Sequence, residues 1–163
     1  LNSIDLESDL KVSVSENMVS KSYFRLTLDM LEQAGIKWTQ SGSEFVIAAH
    51  QKLKPVTFTI EPDFSCAFAI AAFATLNGQT YSAPTRTSRQ PDACFADIFE
   101  KMRATTGRME LKAINQNLTD TPDLFPVLAV LCAFADGESV LSGAPHLAFK
   151  ESNRIEKISE LFT

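Results

Sequence analysis

Two long apolar stretches set the main limit on how this chain can fold. Residues 65–76 are rich in alanine and phenylalanine, and residues 124–135 are almost entirely apolar, so both predict buried helices rather than strands. An Asn-Gly or Asp-Gly pair follows each stretch and predicts its end. Neither stretch reaches the roughly 20 apolar residues that a membrane-spanning helix needs. We therefore expect these helices to pack on one another behind sheets.

Shorter patterns around these helices predict alternating strands and helices, an α/β fold class. Residues 10–14 alternate apolar and polar, as a half-buried strand does, and Ser41-Gly42-Ser43 predicts a hairpin turn. The best domain boundary falls near Glu61-Pro62. The expected strands are residues 10–14, 36–40, 44–49, 56–60, 79–82, 109–114 and 138–142, and the expected helices are residues 20–34, 65–76, 92–102, 124–135 and 150–162.

The balance of charged residues argues against some classes of binding partner. The 163 residues include 15 Lys and Arg against 20 Asp and Glu, a net charge of −5. This acidity argues against a nucleic-acid or anionic-membrane surface, but it leaves room for a local cationic site. Three separated cysteines without a CxxC spacing argue against a disulfide framework or a zinc site and fit a reducing cytoplasm. The chain begins with Leu1 and stops at Thr163 inside a helical pattern, so we expect both ends to be cut.

Lys150 and Arg154 form the most informative pair of charges. They stand four residues apart at the start of a predicted helix, so they share one face of it. Free N–H groups at a helix start also favour anions, and together these features predict a site for a phosphate or a carboxylate. The alternative is an ordinary solvated helix start, in which Glu151 offsets its two neighbours.

Asp123 is a second candidate, at or just before the start of an apolar helix. The helix dipole would keep its carboxylate ionised, as a general base must be. The commoner explanation is that Asp123, or Thr121, merely caps the helix.

Three further features can be explained without a bound ligand or metal. Ser20-Lys21-Ser22-Tyr23 offers hydroxyl groups to an anion at a helix start, but a simple N-cap is the commoner explanation. A cap also accounts for Asp63-Phe64-Ser65. His50 and His146 have no metal-ligand partner at a suitable spacing.

Seven short motifs follow one another along the chain: Ser20-Lys21-Ser22-Tyr23, Glu61-Pro62-Asp63-Phe64-Ser65-Cys66-Ala67, Gln90-Pro91-Asp92, Thr121-Pro122-Asp123-Leu124-Phe125-Pro126, Ala133-Phe134-Ala135-Asp136-Gly137, Gly143-Ala144-Pro145-His146-Leu147 and Lys150-Glu151-Ser152-Asn153-Arg154. In order and approximate spacing they resemble the signature of the EPSP synthase family, the 3-phosphoshikimate 1-carboxyvinyltransferases. The resemblance covers nearly the whole chain. It departs from the family pattern at Ser22, Cys66, Pro91, Arg103, Ala148 and Asn153, which indicates a divergent branch.

The resemblance implies an enolpyruvyl-transferase fold, with two lobes built of β-α-β-α-β-β units that close over the substrates. Residues 1–61 would finish the first lobe, on the shikimate-phosphate side, and residues 62–163 would form part of the second, which carries the catalytic base. The implied enzyme is a cytoplasmic monomer that works without a metal or organic cofactor. It transfers the enolpyruvyl group of phosphoenolpyruvate to shikimate 3-phosphate, in the shikimate pathway to chorismate and the aromatic amino acids. We expect the 163-residue chain alone to be inactive.

The resemblance also implies roles for four charged residues. Asp123 would take the proton of the 5-hydroxyl group of shikimate 3-phosphate. Arg154 would bind the carboxylate of phosphoenolpyruvate, and Lys150 would contact shikimate 3-phosphate and the reacting oxygens. Glu151 would help to deliver or remove the proton at the enol methylene.

Three more substrate-binding residues follow from the resemblance. Ser20 and Tyr23 would bind the shikimate phosphate or ring from the opposite lobe, and His146 stands where the family often has Asn or His near the substrate. Two alternatives stay open: a UDP-N-acetylglucosamine 1-carboxyvinyltransferase-like enzyme, which shares the fold, and a noncatalytic anion-binding domain. The run Lys150-Glu151-Ser152-Asn153-Arg154 favours the shikimate enzyme.

Overall fold

The structure is a computed structural model that describes residues 7–82, 87–103 and 110–163. The chain forms two compact units, one that ends at Ile60 and one that begins at Glu61. The elements of the first unit are β1 (Leu10–Ser13), α1 (Lys21–Gln33), β2 (Trp38–Ser41) and β3 (Glu44–Ile47).

The first unit combines a three-stranded antiparallel sheet with one helix. β3 is the middle strand of the order β1-β3-β2, and Ile47 lies opposite both Leu10 and Trp38. Because side chains alternate along a strand, this register gathers apolar residues of all three strands on one face. α1 contacts this face through Phe24, whose ring meets that of Phe45 edge to face with 4.9 Å between the centroids.

The second unit alternates helices with short strands. Its helices are α2 (Phe64–Leu76), α3 (Phe95–Met102), α4 (Phe125–Ala133) and α5 (Arg154–Leu161). Its strands are β4 (Leu111–Lys112), β5 (Asn115–Asn117), β6 (Ala135–Asp136) and β7 (Val140–Ser142). A 3₁₀ turn precedes each of α3, α4 and α5, at Pro91–Cys94, Pro122–Leu124 and Pro145–Phe149.

The core of the second unit is built by α2, α3 and α4 together. α2 begins where the carboxylate of Asp63 accepts hydrogen bonds from the N–H groups of Ser65 and Cys66, at 2.9 and 3.2 Å, as an N-cap does. Phe68 of α2 is fully buried and contacts the rings of α3. The buried side chains of this core include Phe64, Phe68, Phe95, Ile98, Met102, Leu111, Leu118, Leu124, Leu128, Leu131 and Leu147.

The strands of the second unit pair in parallel, and this determines where the following segments go. β4 pairs with β6, and β5 pairs with β7 with Asn117 opposite Ser142. α4 lies between β5 and β6 in the chain and provides the crossover connection that parallel strands require. Because β5 and β7 run in the same direction, the segments that follow them leave from the same end of the pair.

Gly143 allows these two segments to lie side by side. Its φ is +82°, and a Cβ atom there would collide with Oδ1 of Asn117 and lie 2.5 Å from Oγ1 of Thr119. The Thr119 hydroxyl donates a hydrogen bond to the carbonyl oxygen of Gly143 at 2.9 Å, and the N–H of Leu118 donates to the carbonyl oxygen of Ser142 at 2.8 Å. Glycine is the residue that combines this backbone conformation with so close an approach.

Most of the predicted elements are confirmed. β1, α1, the hairpin around Gly42 and the two long apolar helices are present, and their ends differ from the prediction by at most about two residues. The helix predicted at residues 92–102 begins as a 3₁₀ turn and continues as α3. The helix predicted at residues 124–135 ends at Ala133, because residues 135–136 pair with β4 instead.

Three predicted strands are wrong or incomplete. Residues 56–60 and 79–82 are irregular, and neither segment has a neighbouring strand among the described residues. Their residue types suit a strand, but a strand also needs a hydrogen-bonded partner. The strand predicted at residues 109–114 is confirmed only at Leu111–Lys112, and Met109 lies outside the described residues. β5 was not predicted.

Two helix predictions need correction. Only one side of α2 is buried, since Phe73 is 70% exposed although the whole stretch is apolar. The helix predicted at residues 150–162 begins four residues late, at Arg154, because Oδ1 of Asn153 accepts a hydrogen bond from the N–H of Glu156 and caps α5 there. In the part of the chain that the structure describes, no helix has the length and apolarity needed to cross a membrane.

A matched pair of glycine substitutions tests the role of Gly143. Gly42 also has a positive φ, +59°, but a Cβ atom there would meet nothing within 4 Å. We expect Gly42→Ala to lower the free energy of unfolding by about 1 kcal/mol, the cost of the backbone conformation alone. Gly143→Ala adds the collision and should cost roughly 2–4 kcal/mol. Urea unfolding followed by circular dichroism measures both, and equal losses would contradict the close approach.

Candidate functional site

Asp123 lies between two buried residues in a 3₁₀ turn of the segment that follows β5. Pro122 and Leu124, its neighbours in the turn Pro122–Leu124, are both fully buried, whereas the Asp123 side chain is partly exposed. Thr121 occupies the cap position of the turn but makes no capping hydrogen bond with its side chain. The carboxylate of Asp123 contacts basic side chains instead. The capping explanation is therefore wrong for both residues.

Thr121 also connects this turn to the turn that precedes α3. Its buried side chain forms a hydrogen bond with the thiol of Cys94. Burial raises the pKa of the Cys94 thiol, and the hydrogen bond from Thr121 opposes part of that rise. The thiol therefore stays protonated at neutral pH and acts as a packing and hydrogen-bonding group behind Asp123.

Lys150 and Arg154 come from the segment that follows β7. Lys150 ends the 3₁₀ turn Pro145–Phe149 in extended backbone, and Arg154 is the first residue of α5, after the cap at Asn153. The prediction that the two cations share one helical face is therefore wrong. They converge because the non-helical residues 150–153 turn the chain back toward Asp123.

The three side chains meet at one oxygen atom. Oδ1 of Asp123 lies 2.8 Å from Nη1 of Arg154 and 3.6 Å from Nζ of Lys150. Arg154 is 27% exposed, Lys150 31% and Asp123 36%, so solvent reaches the cluster without surrounding it. Charges in this setting attract each other more strongly than fully hydrated ones, although less than a buried pair would.

Glu151 completes the cluster from the solvent side. Its Oε2 accepts a hydrogen bond from Nη2 of Arg154 at 3.2 Å, while its side chain is 81% exposed. The pKa of Glu151 lies below its ordinary value of 4.5, first because its carboxylate accepts a hydrogen bond from its own backbone N–H and then because of the Arg154 guanidinium. Glu151 is therefore ionised at neutral pH, and its bond to Arg154 weakens only as the pH falls through that lowered pKa.

The cluster contains two cations and two carboxylates on adjacent segments. Two cations side by side can hold an anion such as a carboxylate or a phosphate. A carboxylate between them, with solvent access, can accept a proton from a hydroxyl group brought to the same place. Within the described residues, no group of His, Cys, Asp and Glu side chains is arranged to hold a metal ion.

His146 lies in the turn before Lys150 but outside the charged cluster. Both of its ring nitrogens are inaccessible to solvent and lack a hydrogen-bond partner among the described residues. Buried polar atoms are normally paired, so the imidazole is a group that a bound molecule or a water molecule would satisfy.

Ser20 and Tyr23 lie in the first unit, at the start of α1. Ser20 has φ +56° and ψ +38°, a left-handed conformation that is uncommon outside glycine. Its carbonyl oxygen accepts hydrogen bonds from the N–H groups of Tyr23 and Phe24, at 3.1 and 3.3 Å. Its hydroxyl makes no capping hydrogen bond, so the side-chain N-cap explanation is wrong. Strained residues of this kind are concentrated at functional sites.

Polar contacts at the start of α2 go beyond the sequence predictions. Oε1 of Gln90 accepts a hydrogen bond from the N–H of Phe64 at 3.1 Å, and its Nε2 donates to the carbonyl oxygen of Pro62 at 2.7 Å. The Ser65 hydroxyl donates to the buried carboxylate of Asp92. Local sequence patterns do not show that these two segments meet. The one sequence signal for the contact was that the motifs around Asp63 and Gln90 both occur in the chain.

Comparison with known proteins identifies a family and several relatives. The family description EPSP synthase (3-phosphoshikimate 1-carboxyvinyltransferase) matches residues 6–162. The 3-phosphoshikimate 1-carboxyvinyltransferase of Methanocaldococcus jannaschii is 31% identical over 161 residues, which cover 91% of this chain and 38% of that protein. The protein of the same name from Pyrococcus abyssi is 34% identical over 153 residues, which cover 88% of this chain and 37% of that protein.

Solved structures agree with the fold. A structure of EPSP synthase from Acinetobacter baumannii has a TM-score of 0.64 and 23% identity to this chain, and the match covers 97% of this chain and 40% of that one. The predicted α/β fold of the enolpyruvyl-transferase type is thereby confirmed. The chain spans about 38% of the length of the curated relatives.

The bond between Arg154 and Glu151 can be tested by titration. Arg154→Gln removes the guanidinium, so we expect the pKa of Glu151 to rise toward 4.5 but to stay below it, because the carboxylate still accepts a hydrogen bond from its own backbone N–H. NMR of the side-chain carboxyl carbon against pH measures the change. Arg25→Gln is the control, since Arg25 pairs with Asp29 in the first unit. A pKa of Glu151 that is equal in both variants would contradict the contact.

Proposed function

The chain belongs to the EPSP synthase family, and on that premise we propose that the protein containing it transfers the enolpyruvyl group of phosphoenolpyruvate to the 5-hydroxyl group of shikimate 3-phosphate. The observation that supports this most directly is the approach of Lys150 and Arg154 to one oxygen of Asp123. A base held between two cations suits a reaction in which a hydroxyl group loses its proton beside two anionic substrates.

The proposed activity is that of a longer protein. The chain matches about 38% of the relatives' length, so the remaining contacts to the substrates would come from residues outside it. We assign residues 1–61 to the end of the shikimate-phosphate lobe and residues 62–163 to part of the lobe with the base. The division of the chain after Ile60 is compatible with this assignment.

The addition step makes use of Asp123. The 5-hydroxyl oxygen forms a bond to C2 of phosphoenolpyruvate, its proton passes to the Asp123 carboxylate, and C3 gains a proton and becomes a methyl group. Lys150 offsets the negative charge of the phosphate and of the reacting oxygens. The result is a tetrahedral intermediate that still carries the phosphate group.

The elimination step restores the double bond. The bond between C2 and the phosphate oxygen breaks, phosphate leaves, and the methyl group loses a proton to give the enolpyruvyl ether. Glu151 carries the proton to and from this carbon in our proposal. Its 81% exposure supports a role as a carboxylate that exchanges protons with solvent.

Arg154 binds the carboxylate of phosphoenolpyruvate in this proposal. A guanidinium group offers two parallel N–H donors that match the two oxygens of a carboxylate. Its Nη1 and Nη2 atoms already contact one carboxylate each, which supports its suitability for this ligand.

Ser20, Tyr23 and His146 are proposed to bind shikimate 3-phosphate. The left-handed backbone of Ser20, and a hydroxyl that α1 does not use, support a ligand role for the start of α1. The unpaired ring nitrogens of His146 support a hydrogen bond to a polar substrate group.

The proposed setting is the cytoplasmic shikimate pathway, which leads to chorismate and the aromatic amino acids. We propose a monomeric enzyme that needs neither a metal nor an organic cofactor and binds neither nucleic acid nor membranes. The acidic composition supports the last two points.

Asp123→Asn in the complete protein tests the base assignment. The amide keeps the shape of the side chain but cannot accept the proton, so we expect kcat to fall by about 100- to 10,000-fold. Release of phosphate from phosphoenolpyruvate, measured with shikimate 3-phosphate as the acceptor, gives the rate. Asp136→Asn makes the same change on an exposed residue and should leave the rate unaltered.

The same assay separates the alternatives. Turnover with UDP-N-acetylglucosamine instead of shikimate 3-phosphate would show that the acceptor is wrong. Unaltered turnover in Asp123→Asn would remove the base assignment, and no turnover with either acceptor would favour a noncatalytic anion-binding domain.

A second prediction concerns the 163-residue chain by itself. We expect it to release no phosphate above the uncatalysed rate, because the complete site needs residues beyond this chain. The complete protein, at equal concentration in the same assay, is the positive control. Sustained turnover of both substrates by the purified chain would contradict this expectation.

A further inference from the structure

The anion-binding group of the site is occupied by the protein's own carboxylates. Nη1 of Arg154 contacts Oδ1 of Asp123 at 2.8 Å, and Nη2 contacts Oε2 of Glu151 at 3.2 Å. The two N–H donors that a ligand carboxylate would use are therefore taken by two separate residues. Lys150 lies 3.6 Å from the same Asp123 oxygen, so its charge is also paired with a carboxylate of the protein.

We propose that Asp123 competes with the anionic substrate for Arg154, so that binding of the substrate carboxylate displaces Asp123 and releases it to act as the base. This inference rests on the proposed function for the identity of the ligand. It adds a coupling between two events at the site: phosphoenolpyruvate binding and the availability of the catalytic carboxylate.

The geometry favours such an exchange. Each internal carboxylate accepts a single hydrogen bond from Arg154 through one oxygen, whereas a ligand carboxylate can accept two parallel ones. Glu151 is 81% exposed, so solvent can hydrate it at little cost when it leaves. Asp123 keeps Lys150 as a neighbour after it leaves Arg154, which offsets part of the lost attraction.

The competition has a thermodynamic counterpart. If the contact between Asp123 and Arg154 opposes anion binding, anion binding must oppose that contact by the same free energy. The base is then held by Arg154 while the site is empty and released when phosphoenolpyruvate arrives. The contact between Asp123 and Arg154 would thus favour binding of phosphoenolpyruvate before shikimate 3-phosphate transfers its proton to Asp123.

Phosphoenolpyruvate binding to Asp123→Asn tests the competition. The amide removes the charge that holds Arg154 and also removes its repulsion of the ligand. We therefore expect the Kd of phosphoenolpyruvate to fall by about fivefold. This outcome is specific, because a residue that only supports the fold or contacts the ligand would weaken binding when changed. NMR of the Arg154 side-chain N–H groups during titration of the complete protein measures the Kd and shows whether Arg154 is the contact.

Two further variants serve as controls for charge and folding. Asp136→Asn gives the same change in net charge on an exposed residue of β6, and its Kd should equal that of the unmodified protein. Glu151→Gln removes the longer and more exposed of the two contacts, so its Kd should fall by less than that of Asp123→Asn. The order of the three variants tests the inference even if one of them folds poorly.

The outcomes separate this inference from the proposed function. An equal or higher Kd in Asp123→Asn overturns the competition, and so does the absence of saturable binding in every variant. A lower Kd in Asp123→Asn supports it, even if the complete protein fails to turn over shikimate 3-phosphate. In that case the enzymatic proposal alone would be lost.

Discussion

The parallel pairing of β5 with β7 is the constraint on which the candidate site depends. Parallel strands send their following segments out at the same end, so the turn with Asp123 and the segment with Lys150 and Arg154 start as neighbours. Gly143 then permits the contact between the two segments, because a side chain there would collide with Asn117. Without this pairing, residues 31 positions apart would have no reason to share a hydrogen bond.

The charges of the site balance one another within the protein. Two cations that lie close together in an empty site would repel each other, and Asp123 and Glu151 reduce that repulsion. The same arrangement allows an acidic chain, with net charge −5, to keep two cations close together. In our proposal, these two carboxylates are the groups that an anionic ligand would replace at Arg154.

Sequence patterns were sufficient to predict the elements that depend only on residues close together in the chain. The helix α3 and the hairpin at Gly42 follow from residue patterns and turn residues, and both are confirmed. The strand predicted at residues 56–60 failed because propensity says nothing about a partner strand. For the site, the resemblance named Asp123, Lys150 and Arg154, but the helical-face argument for the two cations was wrong because Asn153 delays the start of α5. The register of β5 and β7 and the contact at Gly143 are long-range features that no local pattern contains.

The long sequence separation within the site also has a consequence for folding kinetics. α4 is a local structure, whereas the bond between Asp123 and Arg154 closes a loop of 31 residues around it. Contacts that close long loops form more slowly than helical ones, since the entropy of closure must be overcome first. We therefore expect the charged cluster to appear late on the folding pathway, after the apolar helices have collapsed. A nascent chain would then have a hydrophobic core before the charged cluster of the candidate site is assembled.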